Sequence, residues 1–518
     1  MALSLKELLV VLVIASLVFM LAKPIALTFT PAADFKRRRR AWFALTIVAF
    51  LSPSFWIFVA VAIPILVVTG RKDSNPVAAY FMLLYVIPPV GQQIPMVGIS
   101  FLFELDSFLL LSLCILTPVA VRMLRAGDRP RHHVLIWMDL ALLGYGLLNS
   151  FHYLQAQAVG GALYPITITD SIRRAFVFLF IAYVPYFVTS RLSVNRRALV
   201  DNIASYCLAC GLLSGIAIFE SLRGWLLYGE LPTRWATSTG TQYLIREHAL
   251  RAMASSGHPL ALATYLSIAV AFWLYLRPRV ESARARLGFS ILLGTGLVVT
   301  YSRGPWIGAA VASLVFLMLK PRAVSAMFKT TIGVLLVGAA LSTTPLGEKI
   351  ISLLPIFGGK ADSETITYRE NLMDRSLTII GQHPFIGDTT ALSQMEDLRQ
   401  GQGIIDLVNV YVQVLLNDGF IGLTLLLGFL LLGVAKVNAA RRRSIRSDPD
   451  MATLGASLIA CIVGFLVTLT GGSLGVGAAT MYYMLGALTV GYAAIARSTP
   501  SQNTSTGSRS DPTPRFLF

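Results

Sequence analysis

Gly288–Val299 (GFSILLGTGLVV) and Trp306–Leu319 (WIGAAVASLVFLML) are two apolar runs separated by Thr300-Tyr301-Ser302-Arg303-Gly304-Pro305. Each run has the composition of a membrane span. The nearest basic clusters, Arg277–Arg286 and Lys320–Lys329, stand beyond the far ends of the two runs. By the positive-inside tendency those clusters are cytoplasmic, so Arg303 lies at the opposite membrane face, where basic residues are not expected. A permanent cation there calls for an anion or a structural partner.

The same pattern extends outward along the chain. Only 13% of the 518 residues are charged, the mean hydropathy is +0.69, and apolar runs recur throughout. The fold class is an all-α polytopic integral membrane protein of roughly 14 transmembrane helices. The net charge of +17 does not mark a nucleic-acid binder. Its basic residues fall in short loops such as Lys36–Arg40, Arg122–Arg131, Arg191–Arg197 and Arg441–Arg446, which is a topological distribution. Cys114, Cys207, Cys210 and Cys461 lie inside apolar runs without metal-type grouping and read as packing residues. Lys6 is offset by Glu7 and no cleavage pattern follows, so the first span is expected to be retained.

Expected spans include Leu199–Tyr228, Pro259–Leu276, Thr330–Leu341, Asn409–Ala435, Met451–Thr470 and Met481–Ala496. Ala41–Val68 is long for one span and reads alternatively as a hairpin broken at Ser52-Pro53-Ser54. Four regions follow: N-terminal spans over 1–198, a core over 199–435, C-terminal spans over 436–496, and a disordered cytoplasmic tail over 497–518. No internal repeat points to the paired halves of a transporter.

Two connections exceed the usual tight loops, and both are external. Gly229–Gly257 contains Arg234, Arg246, Glu247, His248 and Arg251. Leu346–Ile405 is long enough to expect a functional role. Within it, Ser363–Ile380 has helical periodicity, with Ser363 as N-cap and Gly381 as stop. Ile366, Leu372, Met373, Leu377, Ile379 and Ile380 fall on one apolar arc, and Arg369 lies near its middle, aimed inward or toward the headgroup layer. The arginine either snorkels to lipid phosphate or holds substrate. Asp406 and Asn409 enter the next span as polar groups, with Tyr411 close by. Asp406 is either a helix cap or an acid/base. His258, before Pro259, is more often a capping residue than a base.

Arg251, Arg303 and Arg369 come from separate segments of the outer face. Their guanidinium forks match phosphate oxygens. A diphosphate on a membrane lipid is an anion found at that depth.

The order of motifs also resembles a known family. Arg251…Gly257-His258-Pro259…Tyr265, then Tyr301-Ser302-Arg303-Gly304-Pro305-Trp306, then Arg369…His383-Pro384-Phe385-Ile386-Gly387, then Asn409-x-Tyr411…Gly419-Phe420-Ile421-Gly422-Leu423 is similar to the O-antigen ligase and polymerase (Wzy-like) superfamily over residues 200–435. The resemblance implies a fold of the GT-C type, a large periplasmic loop, a site facing the periplasm of a bacterial inner membrane, and undecaprenyl diphosphate-linked oligosaccharide as substrate. In the ligases a histidine directly precedes the residue aligned with Asn409, where this chain has Val408. That departure favours a polymerase of O-antigen or exopolysaccharide repeats over a ligase acting on lipid A-core.

The expected site therefore has Arg251, Arg303 and Arg369 on the diphosphate, and Asp406 with Asn409 at the acceptor hydroxyl. His258 and Tyr411 are further substrate-binding candidates. No metal or cofactor is expected, and the partners are membrane lipid and a chain-length regulator. A flippase for the lipid-linked sugar is the non-enzyme alternative, kept open by Asp139 and Glu220 in or near spans.

Overall fold

The computed structural model describes residues 2–98, 101–126, 133–159, 168–235, 244–246, 249–320, 363–399, 405, 407, 409–472 and 475–498. It is an all-α polytopic membrane protein. Among the described residues, nine helices are long and apolar enough to cross a membrane. Buried side chains from Leu8 to Ile495 form one continuous core, and the four cysteines are buried thiols within the bundle. The expected span Thr330–Leu341 lies outside the described residues.

Local sequence accounts for the main breaks. Ala32–Leu51 and Phe55–Lys72 are separate helices, with the Ser54 side chain capping the second. The Ser52-Pro53-Ser54 break is therefore a true hairpin turn. The expected span over 199–228 is shorter, Arg196–Arg223, because Gly224 closes it in the left-handed conformation.

One end of the bundle is tied by a buried ion network. Arg38, 2% exposed, donates from Nε and Nη2 to both carboxylate oxygens of Asp73, at 2.9 and 2.7 Å. From Nη1 it reaches Asp201 at 2.8 Å and Ser205 at 2.8 Å. Thr30 and Asn75 complete the shell around Asp201. Removing one partner of such a buried pair costs about 3–5 kcal/mol. Arg38 belongs to the basic cluster read above as topological, and its structural task is the addition made by tertiary packing.

The other end, called the outer face after the charge pattern, carries the segments around Arg303. The flanking helices Ala283–Val298 and Arg303–Leu319 have 16 and 17 residues. At ~1.5 Å per residue they span about 24–26 Å, short of a hydrocarbon layer of about 30 Å. Helix Arg303–Leu319 packs closely on helix Pro449–Thr468, where a Cβ added at Gly308 would lie 2.6 Å from the Gly464 carbonyl oxygen. Such glycine contacts are a typical route to helix association in lipid.

A small cap sits over helix Val410–Ser447. Its helix, Ser363–Gln382, matches the expected segment within two residues at its C-terminal end. Leu372, Ile379 and Ile380 pack with Ala391, Met395, Leu407 and Leu416. The buried arc is narrower than expected: Ser376 is buried, whereas Met373 and Leu377 are 38% and 56% exposed. The helix meets its neighbours along one line only, so the flanks of the arc remain open.

The cap is fastened by main chain. Phe420 and Ile421 N–H donate to the carbonyls of Pro384 and Phe385, at 2.8 and 3.1 Å, and Asp388 N–H donates to Leu416 at 2.6 Å. Gly387 and Gly419 both have positive φ. A Cβ at Gly419 would lie 2.4 Å from the Phe385 carbonyl carbon. Gly419 has φ 61 and ψ −166, a region essentially restricted to glycine. Gly419→Ala is expected to detach the cap and raise proteolysis within residues 383–399 several-fold, while Gly428→Ala, which meets nothing within 4 Å, leaves the digest unchanged. Equal digests for the two variants would refute this account.

A short hairpin, Gln92–Gln93 paired with Glu104–Leu105, precedes helix Ser107–Leu111. Asp106 caps that helix by accepting the Leu109 N–H at 2.7 Å. Burial pushes the Asp106 carboxyl up to about 6, and Glu104 adds to the shift. Between the ordinary value near 4 and this raised one, the folded chain holds the proton more tightly than the unfolded chain. Stability is thus expected to fall as pH rises from about 4 to about 6. Melting in detergent across this window should show a flatter profile for Asp106→Asn.

Candidate functional site

Two turns at the outer face carry unfavourable backbone. Among the described residues, Ala254 and Tyr301 are the non-glycine residues with positive φ, at 45° and 48°. Such conformations cost about 1–3 kcal/mol each and persist where surroundings enforce them. Each is held by hydrogen bonds to an ionisable side chain.

Glu220, fully buried near the end of helix Arg196–Arg223, accepts the N–H groups of Leu227, Met253 and Ala254 at 3.0, 3.1 and 2.7 Å. Arg251 grips the second turn on both sides of Tyr301. Its Nε donates to the Thr300 carbonyl at 3.2 Å and its Nη2 to Ser302 Oγ at 2.9 Å. Ala252 N–H adds a bond to the Val299 carbonyl at 3.2 Å.

This places two of the three arginines in one assembly. Arg251 holds the turn that presents Arg303, the first residue of its helix. Ser302, at the N-cap position, donates to the Thr300 carbonyl and accepts from Arg251, and it makes no side-chain cap bond to the helix. The first turn therefore keeps its orphan N–H groups and positive dipole end. Arg303 is half-buried. Its Nε is buried without a hydrogen-bond partner among the described residues, a costly state for a charged donor. Guanidinium and helix start together form an anion-seeking corner.

Arg369 is placed differently. It is exposed on the cap helix, between Tyr368 and Leu372, which both pack on the cap's apolar cluster. Of the two expected directions, inward or toward the headgroup layer, the inward one is not seen, because the packed line of the helix passes beside Arg369. The structure brings Arg251 and Arg303 together and leaves Arg369 on the cap surface.

Asn409 is half-buried and caps helix Val410–Ser447, its side-chain oxygen accepting the Tyr411 and Val412 N–H groups at 3.0 and 3.4 Å. Tyr411 donates its hydroxyl to the Leu466 carbonyl at 2.6 Å. Both tie this helix entry to its surroundings. Asp406 and Val408 lie outside the described residues, as do Glu247 and His248. His258 is exposed and caps helix Pro259–Leu276, with Nδ1 accepting the Leu260 N–H at 3.2 Å. In the neutral ring that bond puts the proton on Nε2, which then acts as a donor. His258 and Tyr265 line a cavity of about 300 Å³ together with Pro89, Ser256 and Gly477.

Residues 288–427 match the family model described as O-antigen ligase. The chain carries an O-antigen ligase-type segment. This agrees with the ligase and polymerase superfamily that its motifs resemble, whose members are glycosyltransferase-type enzymes acting on lipid-linked oligosaccharides. Arg303, Arg369, Asn409 and Tyr411 fall inside the O-antigen ligase-like segment, whereas Arg251 and His258 precede it. No curated protein matches the chain.

Sequence reasoning missed the structural work of Glu220. It stood out as a carboxylate in an apolar run, yet its partners are backbone groups that leave no side-chain signature. Glu220→Ala would strand three N–H groups at about 1–3 kcal/mol each. We expect its melting temperature in detergent to drop by several degrees; a melt like that of the unaltered protein would show that Glu220 does not hold these turns.

Proposed function

We propose that the chain polymerises lipid diphosphate-linked oligosaccharide repeats at the periplasmic side of a bacterial inner membrane. The observation that carries this reading is the half-buried Arg303 guanidinium with its unpartnered Nε, set beside an uncapped helix start. Arg303 binds the diphosphate of the donor. Arg251, committed to Thr300 and Ser302, positions Arg303 and adds positive charge. Arg369 is an exposed cation of the cap available to the same anion.

In the reaction, the bond between the anomeric carbon and the diphosphate oxygen breaks while the acceptor hydroxyl oxygen bonds to that carbon. The arginines stabilise the charge that grows on the leaving diphosphate. Asp406 takes the hydroxyl proton as base. Asn409 has its side-chain oxygen committed to the helix, so it contributes orientation through its amide N–H groups. Val408, in place of the ligase histidine, supports a polymerase rather than transfer to lipid A-core.

Two local pairings weigh against the flippase alternative. Glu220 is satisfied by backbone, and Asp139 pairs with Arg191 at 2.9 Å. Glu220 needs no transported ion or headgroup to explain it, and the Asp139 charge is paired, while its Oδ1 is buried without a hydrogen-bond partner among the described residues.

The test is reconstitution of the pure protein with a lipid diphosphate-linked repeat. A ladder of lengthening products supports the polymerase, transfer to added lipid A-core supports a ligase, and translocation without new bonds supports a flippase. Arg303→Ala is expected to lower chain growth by about 10²–10³-fold, the magnitude typical of losing one group that stabilises developing charge. Arg303→Lys should recover only part of it, since a lysine lacks the planar fork. Normal ladders from Arg303→Ala would overturn the assignment.

A further inference from the structure

A cavity of about 430 Å³ opens at the inner end of the bundle, between the end of helix Ala2–Phe29 and the starts of helices Arg196–Arg223 and Pro449–Thr468. Thr30, which donates to Asp201 in the Arg38 network, is part of its wall. Arginines from the basic stretches Arg191–Arg197 and Arg277–Arg286 meet there. By the positive-inside tendency the cavity therefore belongs to the cytoplasmic face.

Its charge is unbalanced. Among the described residues the wall holds Arg196, Arg197 and Arg279 against one carboxylate, Asp450. Asp450 is ion-paired with Arg196 through one oxygen and with Arg279 through the other, and it accepts the Tyr275 hydroxyl at 3.4 Å. Arg279 is fixed further by a bond to the Tyr275 carbonyl and lies 3.6 Å over the Tyr275 ring. Arg196 also reaches Asp448 at 3.2 Å, a carboxylate that caps helix Pro449–Thr468 by accepting the Met451 N–H at 2.9 Å. Even with Asp448 counted, three guanidinium groups face two carboxylates. Arg197 is exposed and forms no hydrogen bond or ion pair among the described residues. Asp450 thus sets two guanidinium groups in place beside a third that is unspent, an arrangement suited to an acceptor-rich anion such as a phosphate.

The other side of the cavity is apolar and leads to lipid. Leu5, Leu9, Val13, Leu17, Met20 and Leu27 form one exposed stripe along helix Ala2–Phe29, and on a spanning helix an exposed apolar stripe faces the bilayer. Leu27 ends the stripe and lines the cavity, as does Val200. A ligand seated here meets guanidinium groups at one end and the acyl region of the membrane at the other. A soluble phosphate would use only the first half, whereas an anionic phospholipid uses both, and basic pockets between helices on the cytoplasmic side are suited to such head groups. We propose that this cavity binds the phosphate head group of an anionic phospholipid of the inner leaflet, with an acyl chain along the stripe that ends at Leu27. The site lies at the opposite end of the bundle from Arg303 and does not depend on the glycan-transfer reading.

The four buried thiols supply the readout, since a thiol-reactive dye reports their exposure on melting. The full chain is melted in neutral detergent micelles while phosphatidylglycerol is titrated in. The melting temperature is expected to rise by several degrees and to saturate, with no comparable rise from phosphatidylcholine or inorganic phosphate. Arg197→Gln is expected to raise the half-saturating lipid fraction about tenfold, the size of one lost charge-assisted contact. Arg446→Gln, which alters an exposed arginine of another inner cluster, should leave that fraction unchanged. Thr28→Trp, which sets a ring into the cavity wall, should abolish the rise. No rise in the unaltered protein overturns the proposal, and so does an equal rise with phosphatidylcholine. Equal stabilisation by inorganic phosphate overturns it by assigning the site to a soluble anion. Unchanged affinity in Arg197→Gln, or an equal loss in Arg446→Gln, overturns it in favour of diffuse attraction to the basic face. Should Thr28→Trp fail to fold, Arg197→Gln decides, because that side chain is exposed and holds no described partner.

Discussion

Glu220 accepts three backbone N–H groups in full burial, and the geometry of the outer face follows from that contact. Without it, the loop after helix Arg196–Arg223 and the turn before helix Pro259–Leu276 would have unsatisfied donors in a membrane-embedded bundle, where no water replaces the lost bonds. With it, Ala254 is kept at positive φ and the following His258 is presented to the adjoining cavity. Arg251, from the same loop, then reaches across to clamp Thr300 and Ser302. Hydrogen bonds of about 0.5–1.5 kcal/mol each, three at Glu220 and two from Arg251, together are of the size needed to offset about 1–3 kcal/mol of strain at each turn.

The clamp bears directly on Arg303. Ser302 is drawn into bonds with Arg251 and Thr300, so the helix that begins at Arg303 lacks its usual cap. Positive charge from the guanidinium and from the helix start falls on one spot. Strain, missing cap and unpartnered Nε are thus consequences of one arrangement, and they give physical content to the proposed diphosphate site.

The cap adds a second constraint. Its main-chain bonds to the kink at Gly419 fix the Pro384–Gly387 turn against helix Val410–Ser447. Asp418, directly before the kink, is engaged with His152 and Tyr145 on another helix. The glycine-bearing motifs within and after the long loop therefore act on each other. Together they seat the cap.

Much of the fold was legible in the residues themselves. The membrane class, span Pro259–Leu276, the Ser52-Pro53-Ser54 break, the cap helix from Ser363 and the packing role of the cysteines all follow from local properties. Hydropathy, capping and turn chemistry act over a few residues, and a membrane span is specified largely by its own transfer into lipid. The anomaly of Arg303 was visible for the same reason, as a charge set against its neighbours. What the sequence could not determine is which charged groups meet. Arg38 with Asp73 and Asp201, Arg251 with Ser302, and His152 with Asp418 join residues far apart in the chain, and their pairing depends on how helices rotate and cross. Arg369 shows the limit: periodicity put it on the apolar arc, but only packing decided how narrow the buried line is. Tertiary structure made those choices because side-chain pairing in a bundle is a property of neighbouring helices and not of the segment that carries the residue.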